Sequence, residues 1–171
     1  MTATFARRDG TIRFTLRAPE VDLLHRLTDE LRHALDTSEP DDPVISRLFP
    51  PAVLGDPEAD REVRDLLADA LLADRLTGLE AVTTLLARGR RSRGRLVVDL
   101  VEDEPLLVLG VLNDIRLAIG ARIDIDVIDR EQVGEQDPVA YPIAVMDHLG
   151  WWQEQLLVAL DVGEVDGNGE G

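Results

Sequence analysis

The stretch FARRDGTIRFTL, residues 5–16, decides how the N-terminal part of this chain folds. It alternates around Asp9 and Gly10, a pair that supplies the positive φ angles of a tight two-residue turn. The stretch therefore predicts an antiparallel β-hairpin. The β-branched stretch LVVDLV, residues 96–101, lies between Gly94 and an acidic run and predicts a third strand, which we place at an edge of the sheet.

Apolar residues recur at helical spacing in the segment that follows the hairpin. After Pro19 they predict a helix that ends before Ser38. From Pro40 to Pro57, five prolines exclude a long regular element, while interspersed apolar residues favour packing against the core. We therefore expect an ordered connector here rather than a linker between domains.

A helix is predicted to begin at Pro57, because Asp56 before it is a typical N-cap. Its apolar stripe consists of Val63, Leu66, Leu67, Ala70 and Leu71. Residues 77–80 fit a capping box, which predicts a second, short helix that ends at Gly89. Two helices are thus expected to meet at a short turn around residues 76–78.

Two further helices are predicted in the C-terminal half. The one that begins at Pro105 is apolar around most of its circumference, which is typical of a central helix, and a buried strand at its start is the alternative. The last runs from about Pro142 to Leu160, and the acidic, glycine-rich residues 161–171 predict a disordered tail. We expect one α+β domain over residues 1–160, a bundle of about five helices with a small antiparallel sheet.

The composition excludes several classes of function. Acidic residues outnumber basic ones by 34 to 18, giving a net charge of −16 that opposes general binding to nucleic acid or anionic membranes. All basic residues are arginines and there is no cysteine, so lysine and thiol chemistry are absent. The N-terminus lacks the apolar core of a signal peptide, and no stretch approaches a membrane span, so the cytoplasm is the expected location.

The helix after Pro105 carries one polar window, formed by Asn113, Asp114 and Arg116 within an arc of about 160°. Such groups in an apolar element favour a hydrogen-bonded structural network, with a recognition surface as the alternative. Trp151 and Trp152 are adjacent on the last helix and must point in different directions, so one is expected in the core and the other near the surface. The predicted interaction surface comprises Asn113, Asp114, Arg116, Trp151, Trp152 and Gln155.

Five arginines within eight residues form a candidate nucleic-acid patch: Arg88, Arg90, Arg91, Arg93 and Arg95. Together with the two predicted helices, the patch suggests a helix-turn-helix over residues 57–95. The acidic residues of the first helix argue against it, because they would lie beside the phosphate backbone.

The chain contains no recognisable catalytic or metal-binding motif. Its three histidines are scattered, and Asp124 and Asp126 alone are weak evidence for a cation site. No cofactor and no metal are therefore expected, although a metal-assisted hydrolase remains a third hypothesis.

Two segments resemble a known family. VLNDIRLAIG at residues 111–120 and VMDHLGWWQEQLL at residues 145–157 are similar to the actinobacterial domain-of-unknown-function family twenty-seventeen. The N-terminal hairpin, the LFPPA connector at residues 48–52 and the overall acidity extend the resemblance over nearly the whole chain. Members are usually single-domain cytoplasmic proteins encoded beside the Clp protease adaptor ClpS, so the resemblance implies a regulatory or adaptor role by association.

We therefore expect a non-enzymatic, cytoplasmic regulatory or adaptor protein that acts through protein–protein interaction. Its partner would be another protein, with a homodimer also considered. The alternative is a transcription regulator that binds DNA through residues 57–95.

Overall fold

The computed structural model of the protein describes residues 4–50 and 55–167, with side chains throughout these ranges except at residues 64 and 162–167. The elements follow in the order β1 (Phe5–Arg8), β2 (Thr11–Arg17), α1 (Ala18–Thr37), α2 (Pro43–Leu48), α3 (Pro57–Arg88), β3 (Arg90–Ser92), β4 (Arg95–Leu100), α4 (Glu104–Arg122) and α5 (Ala140–Gly167). Short 3-10 turns at Ile125–Val127 and Arg130–Gln132 lie between α4 and α5. The predicted α+β class, mainly helical with a small antiparallel sheet, is confirmed.

The predicted N-terminal hairpin is present. Asp9 and Gly10 have φ angles of 48° and 79°, so both central turn residues occupy the left-handed region that a tight hairpin turn requires. Strands β1 and β2 pair antiparallel, and Phe5 faces Phe14 with stacked rings 4.1 Å apart. The aromatic pair covers the core side of the hairpin.

The third strand lies inside the sheet and not at its edge. The strand order is β1-β2-β4-β3, so β4 pairs with β2 on one side and with the short strand β3 on the other. The edge prediction was wrong because Arg93 and Gly94, with φ angles of 51° and 76°, form a second tight turn. The arginine-rich residues before that turn have no β-branched pattern, and they gave no strand signal.

The sheet buries one face against the helices. Alternate residues of its two inner strands form this side of the core: Ile12, Phe14, Leu16, Leu96, Val98 and Leu100. Trp152 of α5 is fully buried and meets the Phe14 ring edge-on at 5.5 Å. The other face of the sheet, which points away from this core, carries mostly polar and charged side chains.

Helix α3 is continuous over its 32 residues, so the predicted turn around residues 76–78 is wrong. Gly78 has a packing role there: a Cβ at Gly78 would lie 3.3 Å from Val111 Cγ2, which places α3 and α4 at close approach. With no turn, the second helix of the predicted DNA-binding pair does not exist as a separate element.

The proline-rich connector contains the short helix α2. Asp42 caps it by accepting a hydrogen bond from the backbone N–H of Val44 at 2.8 Å, and Pro43 occupies the first helical position. Val44 and Leu48 are buried, as the prediction of an ordered connector requires. The apolar residues Val53 and Leu54 lie outside the described residues.

Helices α4 and α5 form the C-terminal half of the core. The buried residues of α4 lie on about half of its circumference, and the opposite side, with Leu106, Gly110 and Asn113, is exposed, so the helix is less enclosed than its apolar sequence predicted. Helix α5 continues through residues 161–167, where the sequence predicted a disordered tail, and residues 168–171 lie outside the described ranges. Asp124 directly precedes the 3-10 turn at Ile125–Val127, and Asp126 lies within it and forms an ion pair with Arg47.

Candidate functional site

The polar window of α4 ties helices together. Asp114 forms an ion pair with Arg75 of α3. Arg75 also donates to the backbone carbonyl of Leu48 at 2.8 Å, and its guanidinium lies over the Phe49 ring, 5.2 Å from the ring centre. One arginine thereby connects α3, α4 and the end of α2, which is the structural network that the sequence favoured.

Arg116, on the other side of the window, contacts α5. It donates to the Gln153 side chain at 2.6 Å, and its guanidinium lies beside the backbone of Gly150, where a Cβ would be 3.3 Å away. The Nε atoms of Arg75 and Arg116 are both buried, and neither has a hydrogen-bond partner among the described residues. Asn113, between these two networks, is exposed.

Two open depressions flank the outer face of α4. One, of about 390 Å³, lies between α3 and α4, and the other, of about 540 Å³, lies between α4 and α5. Leu106, Gly110 and Asn113 border both depressions. Leu71 of α3 borders the first and Leu157 of α5 the second, so each contains an exposed leucine beside polar groups.

The two tryptophans divide as predicted, one in the core and one near the surface. Trp152 has no exposed area, whereas Trp151 is half-buried. Placing Trp152 on the interaction surface was therefore wrong, because Phe14 and His148 enclose its ring at 5.5 and 4.8 Å between ring centres. Gln155 is half-buried on α5.

The sequence analysis recognised the apolar stripe of α3 but did not predict that its side chains are exposed. Among residues 57–74, none whose burial is described is buried, and we call this first half of the helix the α3 arm. Leu66, Leu67 and Leu71 are 81%, 48% and 44% exposed. Leu66 and the buried Leu79 are thirteen residues apart, so their directions differ by about 140° at 100° per residue. Leu67 and the buried Leu85, by contrast, are eighteen residues apart and point in the same direction, so only part of the stripe turns away from the core side of the helix.

The arginines of the predicted nucleic-acid patch do not act as one group. Arg88 binds Glu104 through two short hydrogen bonds and donates to the carbonyl of Asp99, closing the joint between α3, β4 and α4. Arg90, Arg91, Arg93 and Arg95 lie on the β3–β4 hairpin, and the described residues offer none of them an ion pair.

Three carboxylates at the joints of the sheet are held ionised. Burial opposes the charge of Glu20, but hydrogen bonds from the side chain and backbone of Arg17, and the charges of Arg17 and His148, lower its pKa below the usual value. A hydrogen bond from Arg13 lowers the pKa of Asp99, and one from Arg88 lowers that of Glu104. These groups stabilise the fold.

Metal binding finds no support in the described ranges, where no group of three or more histidine, aspartate or glutamate side chains could hold an ion. Over the same ranges, no helix is long and apolar enough to cross a membrane.

A comparison with protein families confirms the resemblance drawn from the two C-terminal segments. A domain of unknown function, DUF2017, matches residues 1–160, and the chain therefore belongs to this family. Searches of the curated proteins and of the solved structures find no match to the chain.

Proposed function

We propose that this protein is a non-enzymatic regulatory or adaptor protein that acts by binding another protein. The observation that carries the proposal is the exposed leucine cluster of the α3 arm. Soluble chains rarely leave several neighbouring large apolar side chains in water unless a partner covers them. Leu71 also borders the depression beside α4, so the cluster continues toward Leu106.

The polar window also supports a protein-binding role, because its side chains are held in place beside the two depressions. Asp114 and Arg116 are committed to contacts with α3 and α5, which makes the floor of the depressions rigid. Binding to a preformed surface costs less conformational entropy than binding to a mobile one. Asn113 is exposed at the border of both depressions, where its side-chain amide can donate a hydrogen bond to a partner or accept one from it.

The test is affinity capture from lysate of the source cells with three forms of the protein. One variant carries Leu66→Gln, Leu67→Gln and Leu71→Gln. A matched control carries Val101→Gln, Val127→Gln and Val158→Gln, three exposed apolar residues away from the arm. A stoichiometric protein retained by the wild type and the control but lost by the arm variant is expected. Equal capture by all three forms, or no captured protein, contradicts the proposal.

The DNA-binding alternative gains nothing from the structure and is not proposed. The two helices on which it depended are one helix, and the turns that precede the predicted recognition helix carry the acidic residues of the α3 arm.

A further inference from the structure

We propose that the solvent face of the β-sheet binds an acidic, extended segment of a partner polypeptide. This surface is distinct from the α3 arm, and its observations stand whether or not the arm binds a protein. The strand register places five arginines on the face that points away from the core, and we call this surface the arginine face: Arg8, Arg13, Arg17, Arg90 and Arg95.

The charge of the arginine face is opposite to that of the molecule. Asp99 is the one acidic residue that the described strands place on it, and Asp99 is paired with Arg13 at 2.8 Å. Arg17 is neutralised from the side by Glu20. Arg8, Arg95 and Arg93 of the adjoining turn have no ion pair among the described residues. Arg90 has no ion pair either, but it lies near enough to Asp99 for its charge to help lower the pKa of that carboxyl. A chain of net charge −16 therefore concentrates unpaired positive charge on one sheet face.

Protection of the sheet edges does not explain this arrangement. Charged residues on edge strands prevent association between sheets, and this accounts for arginines on β1 and β3. Arg17 and Arg95, however, lie directly opposite each other on the two inner strands. Like charges in facing positions destabilise a sheet, and Glu20 offsets the charge of Arg17 alone. Arg95 therefore lies on an inner strand without a counter-charge, and an anionic ligand would supply one.

The shape of the face selects an extended segment. Small or uncharged side chains, Ala6, Thr15 and Val97, lie between the arginines on neighbouring strands. Seven residues of β2 span about 23 Å and four strands span about 14 Å, so a segment of six or seven extended residues covers the face. Guanidinium groups bind carboxylates through paired hydrogen bonds, which favours glutamate and aspartate as the recognised groups.

Nucleic acid fits the same face less well. One turn of a duplex is about 34 Å long and would extend beyond the face toward acidic surface. Single strands are held largely by stacking on aromatic rings. Phe5 and Phe14, the aromatic residues of the described strands, lie on the core side. The chemistry of the face thus favours carboxylates of a polypeptide over phosphates of a nucleic acid.

Fluorescence anisotropy tests this proposal with four labelled probes: a glutamate-rich peptide, a glutamine-rich peptide of the same length, a single-stranded oligonucleotide and a duplex. The arginine-face variant carries Arg8→Gln, Arg90→Gln, Arg93→Gln and Arg95→Gln. The control carries Arg26→Gln, Arg61→Gln, Arg122→Gln and Arg130→Gln, which changes the net charge equally at exposed arginines elsewhere. Thermal unfolding first establishes that both variants are folded.

The wild type and the control are expected to bind the glutamate-rich peptide at low salt and not the glutamine-rich one. The arginine-face variant should bind it at least about tenfold more weakly. In amide NMR spectra, shifts caused by the peptide should concentrate in residues 11–17 and 90–99. The proposal is overturned if both variants lose binding equally, if either nucleic acid binds more tightly than the peptide, or if the wild type does not bind the peptide. Loss of binding at the α3 arm would leave these results unchanged.

Discussion

At the scale of single residues, Gly89 shows why a glycine follows the long helix α3. A Cβ at this position would lie 2.8 Å from Leu96 Cδ1 and 2.9 Å from both Leu96 Cγ and Val98 Cγ2, so the core side of β4 leaves no room for a side chain. Its φ of −59° is ordinary, and the constraint is therefore space alone. We predict that Gly89→Ala lowers the free energy of unfolding by about 1–3 kcal/mol, measured by urea denaturation.

Gly110 is the matched control for that prediction. It lies within α4 on an exposed surface, and a Cβ there meets nothing within 4 Å. Because alanine is a better helix former than glycine, Gly110→Ala should raise the free energy of unfolding by up to about 1 kcal/mol. Equal destabilisation by both substitutions would contradict the spatial explanation for Gly89.

Glu20 is one carboxylate through which the stability of the protein depends on pH. Its two carboxylate oxygens accept hydrogen bonds from the backbone N–H and the guanidinium of Arg17, at 2.7 and 2.8 Å, and His148 Nε2 lies 3.4 Å from Oε1. Because folding lowers its pKa, the contribution of Glu20 is complete above the unfolded value, about 4.5, and is lost as the pH falls through the folded value.

We therefore predict that Glu20→Gln destabilises the protein by about 1–2 kcal/mol at pH 7. The difference from the wild type should shrink as the pH is lowered from 5 to 3. Urea denaturation at each pH measures the difference, and a parallel series in a His148→Asn background removes the imidazole that lies 3.4 Å from Glu20. A difference that stays constant down to pH 3 would show that Glu20 acts by packing alone.

At the scale of the elements, the sequence correctly predicted the features that depend only on residues close together in the chain. The Asp9–Gly10 turn, the N-cap at Asp56 and the periodicity of α1 each depend on neighbours in sequence, and all three are present. The position of β4 inside the sheet depends on a strand of three residues, which has no pattern of its own. The prediction of a turn at residues 76–78 was wrong because Gly78 lets α3 approach Val111 of α4, a residue distant in sequence, and does not end a helix.

The same distinction applies to the candidate sites. The polar window was visible in the sequence because its residues interrupt an apolar helix. Its partners Arg75 and Gln153 were not, since they lie on other helices. Likewise, the stripe of Leu66, Leu67 and Leu71 was recognised, but the sequence could not show that no part of the described fold buries it.

The α3 arm has a dynamic consequence. Tertiary contacts supply most of the stability of helices in proteins, and none of the arm's described side chains is fully buried, although Leu72 packs partly against the core. We predict that amides of residues 61–73 exchange with solvent at least about a hundredfold faster than those of residues 79–88, whose apolar side chains are in the core. Hydrogen exchange with mass spectrometry measures both segments in one experiment. Equal protection of the two segments would contradict the prediction.

At the scale of the whole molecule, charge is unevenly distributed. The arginine face gathers positive charge, so the remaining surface is more negative than the net value of −16 indicates. Among the acidic residues of the α3 arm, Glu58, Glu62, Asp65 and Asp69 have no described ion pair. Self-repulsion of this kind opposes the compact state, and salt screens it.

This distribution predicts that salt stabilises the protein. Raising sodium chloride from about 10 to 200 mM shortens the screening length from about 30 Å to below 10 Å, which weakens repulsion between distant carboxylates more than it weakens close ion pairs. The midpoint of thermal unfolding should therefore rise by several degrees. Potassium chloride should act equally, because the effect depends on ionic strength, and the arginine-face variant should respond more steeply, because its net charge is more negative. A midpoint that falls with salt would mean that ion pairs such as Arg13–Asp99 and Arg88–Glu104 contribute more to folding than the repulsion removes.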